Sequence, residues 1–237
     1  MAKGVDFPIA TDRMTPVVND PYRKQSQAGD MQGPIRLAVL LSGTGRTLQN
    51  LIDKIKQGSL DARIEVVVGS RADAFGLQRA KNHGIPVVVV ERKRYRRAEE
   101  FCNEITAQLD KYAVDLVIMA GFNCLYKIPD KYIGRVMNIH PALIPSFCGK
   151  NYWGMKVHEA ALDYGVKVSG CTVHFADNTY DNGPIILQRT VPVINGDTPE
   201  SLAERVFKEE CVAYPEAIRL FQQGRLRIEG RKVSILP

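Results

Sequence analysis

Apolar residues follow two alternating patterns over the middle of the chain. Runs dominated by apolar residues occupy positions 36–42, 64–69, 86–90, 115–121 and 136–140. Between the runs, apolar residues recur at intervals of three and four, as Leu48, Leu51 and Ile55 do, which is typical of a helix with one buried face. Runs that lack a polar alternation indicate strands buried on both faces. The pattern therefore predicts an α/β fold with a doubly wound, mostly parallel sheet.

The pattern changes after residue 146. The predicted elements there are a short helix, two long strands, a final helix and a small hairpin, at residues 157–164, 167–176, 185–193, 199–221 and 227–235. The two long strands are rich in valine, threonine and isoleucine, which favour β-structure. A polar loop joins them, so we expect an antiparallel C-terminal extension of the sheet. Pro215 predicts a bend in the final helix.

The first 34 residues show no sustained period. Prolines and glycines are mixed with charged residues in this stretch. Without a repeating apolar face, such a segment buries little surface. We therefore expect residues 1–34 to form an N-terminal extension that is poorly packed in part, and residues 35–237 to form a single domain.

Composition excludes some classes of protein and favours others. The 237 residues are 45% hydrophobic and 24% charged, which is ordinary for a globular chain. No apolar run is long enough to span a membrane, and no apolar region follows the N-terminus as in a secretory signal. The five cysteines are scattered without a C-x-x-C pair. They indicate reduced thiols in the cytoplasm rather than a disulfide framework.

The net charge of +6 allows either a nucleic-acid partner or a site for small anions. We favour small anionic ligands, because no basic patch is interleaved with aromatic residues. The four histidines do not show the spacing of metal ligands, so we expect no metal. The chain is predicted to act on small molecules, without nucleic acid or membrane, as a monomer or homodimer.

A glycine loop follows the first predicted strand and precedes the first helix. It reads Ser42-Gly-Thr-Gly-Arg-Thr47, and a helix that starts there presents free N–H groups to an anion. Leu48 stands where a dinucleotide fingerprint has its third glycine, and the second strand ends without an acidic residue. We therefore expect this loop to bind a single phosphate and not a dinucleotide.

A polar pair ends the fifth strand. Asn138 and His140 alternate with apolar neighbours, so their side chains share one face, and Pro141 stops the strand. The carboxyl ends of parallel strands are where ligands bind. Imidazole transfers protons near neutral pH, and a carboxamide donates to an oxygen that becomes negative. The pair suits the attack of a nucleophile on a carbonyl carbon.

Two carboxylates are candidates for the partner of His140. Asp181 lies in a rigid turn with the sequence Asp181-Asn-Gly-Pro184, and Asp177 lies earlier in the same loop. The residues alone do not rank these two. Glu210 is a further candidate, since it shares the inward face of the final helix with Leu202 and Val206. A buried carboxylate needs a partner, either an arginine or a ligand's amine.

The motifs together resemble the folate-dependent phosphoribosylglycinamide formyltransferases, in order from about residue 36 to 224. The resemblance is carried by the glycine loop, Asn138-Ile-His-Pro141, Thr172-Val-His-Phe175 and Asp181-Asn-Gly-Pro184. It implies a Rossmann-like formyltransferase fold. It also implies transfer of the formyl group of 10-formyltetrahydrofolate, as co-substrate, to the amine of phosphoribosylglycinamide in purine biosynthesis. The chain departs from the family in a longer loop at 147–154.

The resemblance also implies roles for individual residues. Asn138, His140 and Asp181 match the catalytic triad, with Asp181 favouring the imidazolium form of His140. Gly45, Arg46 and Thr47 match the phosphate loop, and Glu210 matches a substrate-binding glutamate. The implied folate contacts are Arg97, Asn123, Cys124, Leu125, Tyr126 and Asp177.

Two rival functions use the same sequence features. A 10-formyltetrahydrofolate hydrolase would use the same three polar residues with water as the nucleophile, and would not need the phosphate loop or Glu210. A non-catalytic nucleotide-binding module would not need the triad, and the second strand lacks its acidic residue.

Overall fold

The computed structural model describes residues 33–237, and the predicted extension at residues 1–34 lies almost entirely outside that range. Within it, nine strands form one sheet in the order β3-β2-β1-β4-β5-β6-β7-β9-β8. The strands are β1 (Ile35–Leu41), β2 (Ala62–Gly69), β3 (Val87–Val89), β4 (Leu116–Met119), β5 (Val136–His140), β6 (Val168–Phe175), β7 (Ile185–Pro192), β8 (Leu226–Glu229) and β9 (Lys232–Ile235). Strands β1 to β5 pair in parallel. Strands β6 and β7 continue the sheet in antiparallel orientation, which confirms the predicted extension.

Five helices cover the two faces of the sheet. They are α1 (Arg46–Lys56), α2 (Phe75–Asn82), α3 (Ala98–Leu109), α4 (Met155–Tyr164) and α5 (Pro199–Gln222). Strand β1 is buried on both faces: Leu37 and Val39 pack with α1, α2 and α5, whereas Ala38 and Leu40 pack with α3. This double burial is why β1 appears in the sequence as an apolar run without polar alternation.

Several predicted elements differ in extent from the observed ones. Between β4 and β5 the chain forms a short 3-10 turn at Asp130–Tyr132, an element that the apolar pattern does not mark. Helix α5 begins with a capping box, in which Thr198 and Ser201 each bind the other's backbone N–H, and it runs through Pro215 as one helix. The predicted hairpin, β8 and β9, extends the sheet beyond β7, and the pairing of β9 with β7 is limited to Ile185 and Lys232.

Tyr214 positions helix α5 over the middle of the sheet. Its buried hydroxyl donates to the carbonyl oxygen of Met137 at 2.8 Å and lies 3.0 Å from that of Met119. These two carbonyls belong to β5 and β4. Glu210 precedes Tyr214 by one helical turn, so the same contact places Glu210 near the carboxyl ends of those strands.

The structure also bears on the class of protein. In the part of the chain that it describes, every helix is too short or too polar to cross a membrane. The same residues contain no cluster of three or more histidine, cysteine or acidic side chains that would hold a metal ion. All five cysteines are free thiols.

Candidate active site

A cavity of about 360 Å³ opens at the carboxyl ends of β4 and β5. It lies at the edge of the sheet where the chain order reverses between β1 and β4, which is where ligands bind in open α/β sheets. Its lining includes six residues singled out in the sequence: Thr47, Asn123, Asn138, His140, Asp181 and Glu210. The fold therefore brings together groups that are up to 163 positions apart in the chain.

His140 contacts an acceptor at each ring nitrogen. Its Nε2 atom donates to the carbonyl oxygen of Phe147 at 2.8 Å, and its Nδ1 atom lies 3.4 Å from Oδ2 of Asp181. The side chain is 5% exposed. Two acceptors suit the imidazolium form, in which both nitrogens carry hydrogen.

Asp181, and not Asp177, is the carboxylate beside His140. The Oδ2 atom of Asp181 also accepts from the backbone N–H of Gly149 at 2.8 Å. Asp177 instead accepts from Thr179 N and from Asn182 Nδ2, at 2.8 and 2.9 Å, which stabilises the turn. The structure thus resolves an alternative that the sequence left open.

The loop that contains Asp181 has little freedom. Asp181 has a φ of 50°, a left-handed conformation that is uncommon for residues other than glycine. A Cβ atom at Gly183 would lie 1.8 Å from the carbonyl oxygen of Phe175, so this position accepts only glycine. Close packing of Gly183 against the end of β6 therefore constrains the position of the Asp181 carboxylate.

Asn138 has a second partner that the sequence did not identify. Its Nδ2 atom lies 3.1 Å from Nε2 of His174 and 3.2 Å from Oδ1 of Asp181. His174 donates from Nδ1 to the carbonyl oxygen of Phe175 at 2.8 Å, so its Nε2 is left to accept from Asn138. Burial lowers the pKa of His174, which agrees with a neutral ring.

Both amide hydrogens of Asn138 are therefore engaged by the protein. Donation from Asn138 to a substrate oxygen, as expected from the sequence, requires one of these bonds to be exchanged. The signal that identifies His174 is the antiparallel register of β5 and β6, which places Asn138 opposite His174. Sequence alternation alone does not give this register.

The glycine loop forms the start of α1, as predicted. Gly45 has a φ of 69° and precedes the first helical residue. A Cβ atom on Gly45 would lie 2.5 Å from the Cα of Gly76, so the loop packs directly on α2.

Thr47 lines the cavity, whereas the Arg46 side chain points to α5. Its NH2 atom lies 2.5 Å from Oε2 of Glu204, and its guanidinium stacks 3.9 Å from the Phe207 ring centroid.

The Glu210 carboxylate lies in the wall of the cavity, half-buried and largely enclosed by protein. Burial raises the pKa of Glu210 to about 7, although the charge of Arg46 opposes this shift. Within residues 33–237 no cationic side chain lies within ion-pair distance of it. An enclosed carboxylate without a partner suits a ligand that carries an amine.

A second, narrow cavity of about 40 Å³ adjoins the first at Asn138 and Asp181. Cys124, Leu125, Tyr126 and Asp177 line it, as the resemblance implied for the folate side. Arg97 is not part of either cavity. It precedes α3, and its 71% exposed side chain pairs with Glu100 at 2.8 Å. Every predicted site residue lines one of the two cavities except Gly45, Arg46 and Arg97.

Residues 35–218 match the formyl transferase family, so the chain belongs to this family. The relatives of comparable length are phosphoribosylglycinamide formyltransferases. The Haemophilus influenzae enzyme of that name is 37% identical over 196 residues, which are 82% of this chain and 90% of the relative. The crystal structure of glycinamide ribonucleotide transformylase 1 from Symbiobacterium toebii has a TM-score of 0.81 at 44% identity, and the match covers 87% of this chain and 96% of that one. The predicted family and fold are thereby confirmed.

A longer relative also matches. The human trifunctional purine biosynthetic protein adenosine-3 is 42% identical over 195 residues, which are 81% of this chain and 19% of the relative. The chain thus spans about a fifth of the length of that protein.

Proposed function

We propose that this chain transfers the formyl group of 10-formyltetrahydrofolate to the amine of phosphoribosylglycinamide, giving formyl-phosphoribosylglycinamide and tetrahydrofolate in purine biosynthesis. One observation carries the proposal. The His140–Asp181 pair lies in a cavity whose wall also contains the start of helix α1 at Thr47 and Glu210, a glutamate without an ion-pair partner among the described residues. Proton transfer, amine binding and anion binding are thus available in one cavity.

The amine nitrogen attacks the formyl carbon and forms a tetrahedral intermediate. The bond from that carbon to N10 of the folate then breaks, and one proton leaves the amine while N10 gains one. His140, charged and positioned by Asp181, stabilises the negative oxygen and relays the proton. The amide of Asn138 donates a hydrogen bond to the same negative oxygen, which then replaces either His174 or Asp181 as its acceptor.

The acceptor substrate occupies the larger cavity. Its phosphate binds the backbone N–H groups of Gly45, Arg46 and Thr47, where the α1 dipole favours an anion. Its amine lies against the Glu210 carboxylate. Holding both ends of the substrate directs the amine toward His140 and makes the reaction effectively unimolecular.

The pterin end of the folate binds at the narrow cavity lined by Cys124, Leu125, Tyr126 and Asp177, which has to widen beyond its 40 Å³ to take the ring. Asn123 lines the larger cavity next to it. The proposed mechanism uses protein side chains and backbone groups and involves no metal ion. The cytoplasmic location, the monomeric or homodimeric state and the absence of a nucleic-acid partner stay predictions from the sequence.

One assay tests the proposal against its rivals. The purified chain is mixed with 10-formyltetrahydrofolate, with and without phosphoribosylglycinamide, and the release of tetrahydrofolate is measured. Release that requires the acceptor supports the transferase. Release without the acceptor would indicate the hydrolase, and no release in either mixture would indicate a binding module. His140→Ala is expected to abolish the acceptor-dependent release while the chain remains folded.

A further inference from the structure

Helix α2 touches the glycine loop, although no residue of α2 lines either cavity of the site. A Cβ atom on Gly76, near the start of α2, would lie 2.6 Å from Cδ2 of Leu41 and 3.1 Å from the Cα of Gly45. The absence of a side chain at Gly76 therefore lets the helix approach the backbone of the loop. Helix α2 is thus in direct contact with the segment on which the acceptor's phosphate is placed by the proposed function.

Three successive carbonyl oxygens of the loop each accept a hydrogen bond. The oxygens of Gly43 and Gly45 accept from backbone N–H groups, at 3.0 and 2.9 Å. The oxygen of Thr44 accepts instead from a side chain, the Nε atom of Arg79 in α2, at 3.0 Å. Of these three bonds, the one to Thr44 is therefore the one that depends on the identity of a side chain.

The direction of the Thr44 carbonyl determines the direction of the next N–H group. In a planar trans peptide the C=O and N–H bonds point to opposite sides, and Thr44 and Gly45 share such a peptide. The bond from Arg79 to the Thr44 oxygen therefore turns the Gly45 N–H away from α2. Gly45 has a φ of 69° and no side chain to resist rotation of this peptide, so its direction depends on the donor.

The Arg79 side chain is itself held in place. Its NH1 atom donates to Oε1 of Gln49 in α1 at 3.3 Å, and its guanidinium lies 4.9 Å from the Phe75 ring centroid. The residue is half-buried, and both of its hydrogen bonds within the described residues go to uncharged oxygens. Arg79 thus connects α2 to the loop and to the first turn of α1.

We propose that Arg79 is a positioning residue for the acceptor's phosphate, because its Nε atom holds the Thr44 carbonyl so that the Gly45 N–H faces the phosphate. This inference rests on the proposed function, in which that N–H is a ligand of the phosphate. Arg79 acts through the loop and does not contact the substrate. The contact joins positions 35 apart in the chain, so the sequence pattern does not reveal it.

Two substitutions separate the hydrogen bond of Arg79 from its charge. Arg79→Lys keeps the charge but has a methylene group at the place of Nε, whereas Arg79→Gln loses the charge but has an amide that donates from that place. In Arg79→Lys the KM for phosphoribosylglycinamide is expected to rise about tenfold, with little change in kcat or in the KM for 10-formyltetrahydrofolate. Arg79→Gln should recover most of the loss, to within about threefold of wild type. The reverse order, an impaired Arg79→Gln beside a normal Arg79→Lys, would mean that the charge alone matters and would overturn the assignment.

A matched pair of methionine variants controls for the loss of charge. Arg79→Met removes both the donor and the charge, and its KM for the acceptor should rise about tenfold. Lys81→Met removes an exposed charge from the same helix and should leave that KM unchanged. Equal increases in the two variants would assign the effect to the charge of α2 and reject the role of the Arg79 hydrogen bond.

Calorimetry in the absence of the formyl donor gives a measurement that does not depend on catalysis. Arg79→Lys should bind phosphoribosylglycinamide about tenfold more weakly than wild type, whereas the analogue that lacks the phosphate should bind both proteins equally. An equal loss for both ligands, or equal Kd values for phosphoribosylglycinamide in the two proteins, would reject the role even if formyl transfer is observed. A wild-type chain that binds the acceptor but transfers no formyl group would refute the proposed function, and a phosphate-specific loss in Arg79→Lys would still support the role of Arg79.

Discussion

Oδ2 of Asp181 lies 3.4 Å from Nδ1 of His140, and both side chains are nearly buried. The same carboxylate also accepts from Gly149 through Oδ2 and from Asn138 through Oδ1. Asp181 thus connects the imidazole, the carboxamide and the 147–154 loop. Its charge has two tasks, to favour the imidazolium and to fix the geometry around it.

Removing this charge should impair turnover more than stability. Asp181→Asn keeps the shape of the side chain but no longer stabilises a cation on His140. We expect kcat for acceptor-dependent formyl transfer to fall by about 10²-fold or more, the usual contribution of general acid–base catalysis. Asp163→Asn, at an exposed position of α4, makes the same chemical change and should leave kcat unaltered. An Asp181→Asn enzyme with more than a tenth of wild-type turnover would contradict this role.

The ion pair between Arg46 and Glu204 should compete with the acceptor's phosphate. Glu204→Gln frees the guanidinium, so the KM for phosphoribosylglycinamide should fall two- to fivefold, roughly the worth of an exposed ion pair. The difference from wild type should disappear at high ionic strength, where such pairs are screened. Glu200→Gln, an exposed charge in the first turn of α5, serves as the control. An unchanged KM at low salt would show that Arg46 does not reach the phosphate.

Glu210 should make stability depend on pH. Burial raises the pKa of Glu210 from 4.5 to about 7, so between these values the folded chain binds more protons than the unfolded chain. The free energy of unfolding therefore falls as pH rises through this window. Glu210→Gln should be more stable than wild type by about 2 kcal/mol at about pH 8, with little difference near pH 4.5.

Urea unfolding at both pH values measures this effect, and the variant should also bind the acceptor more weakly. A variant that is less stable than wild type at about pH 8 would mean that the Glu210 carboxylate is stabilised inside the fold.

His158 should make the free energy of unfolding depend on pH in the opposite direction to Glu210. It is buried in α4, and its Nδ1 atom has no hydrogen-bond partner among the described residues. Burial lowers its pKa from 6.5 to about 4, so between these values the unfolded chain binds more protons and folding is weakened as pH falls. His158→Leu should therefore lose about 2 kcal/mol less stability than wild type between about pH 7 and pH 4.5. Equal losses in the two proteins would indicate that His158 takes up a proton in the folded chain.

Much of the fold was predictable because the helices and strands bury their faces in simple patterns. Strand β1 is apolar except for Arg36, since both of its faces are covered, and α5 begins at the Thr198 capping box. The polar pair of β5 was predictable for a similar reason, because Asn138 and His140 interrupt an apolar strand at intervals of two.

Other features depended on contacts between distant segments. The choice of Asp181 over Asp177 follows from the loop conformation around Gly183, and the pairing of Asn138 with His174 follows from the register of β5 and β6. Arg46 points to α5 because Glu204 and Phe207 lie there. The pairs His140 and Asp181, Asn138 and His174, and Arg46 and Glu204 each join residues from distant parts of the chain.

The sequence by itself determined the order of elements, the doubly wound class, the family and the residue types of the site. These depend on local periodicity and on short motifs whose members are neighbours in the chain. Only the tertiary structure decided which carboxylate meets His140, which side chain pairs with Asn138, and where the Arg46 and Arg97 side chains lie. The physical reason is that side-chain direction, strand register and cavity shape arise from packing between segments, and local patterns do not specify that packing.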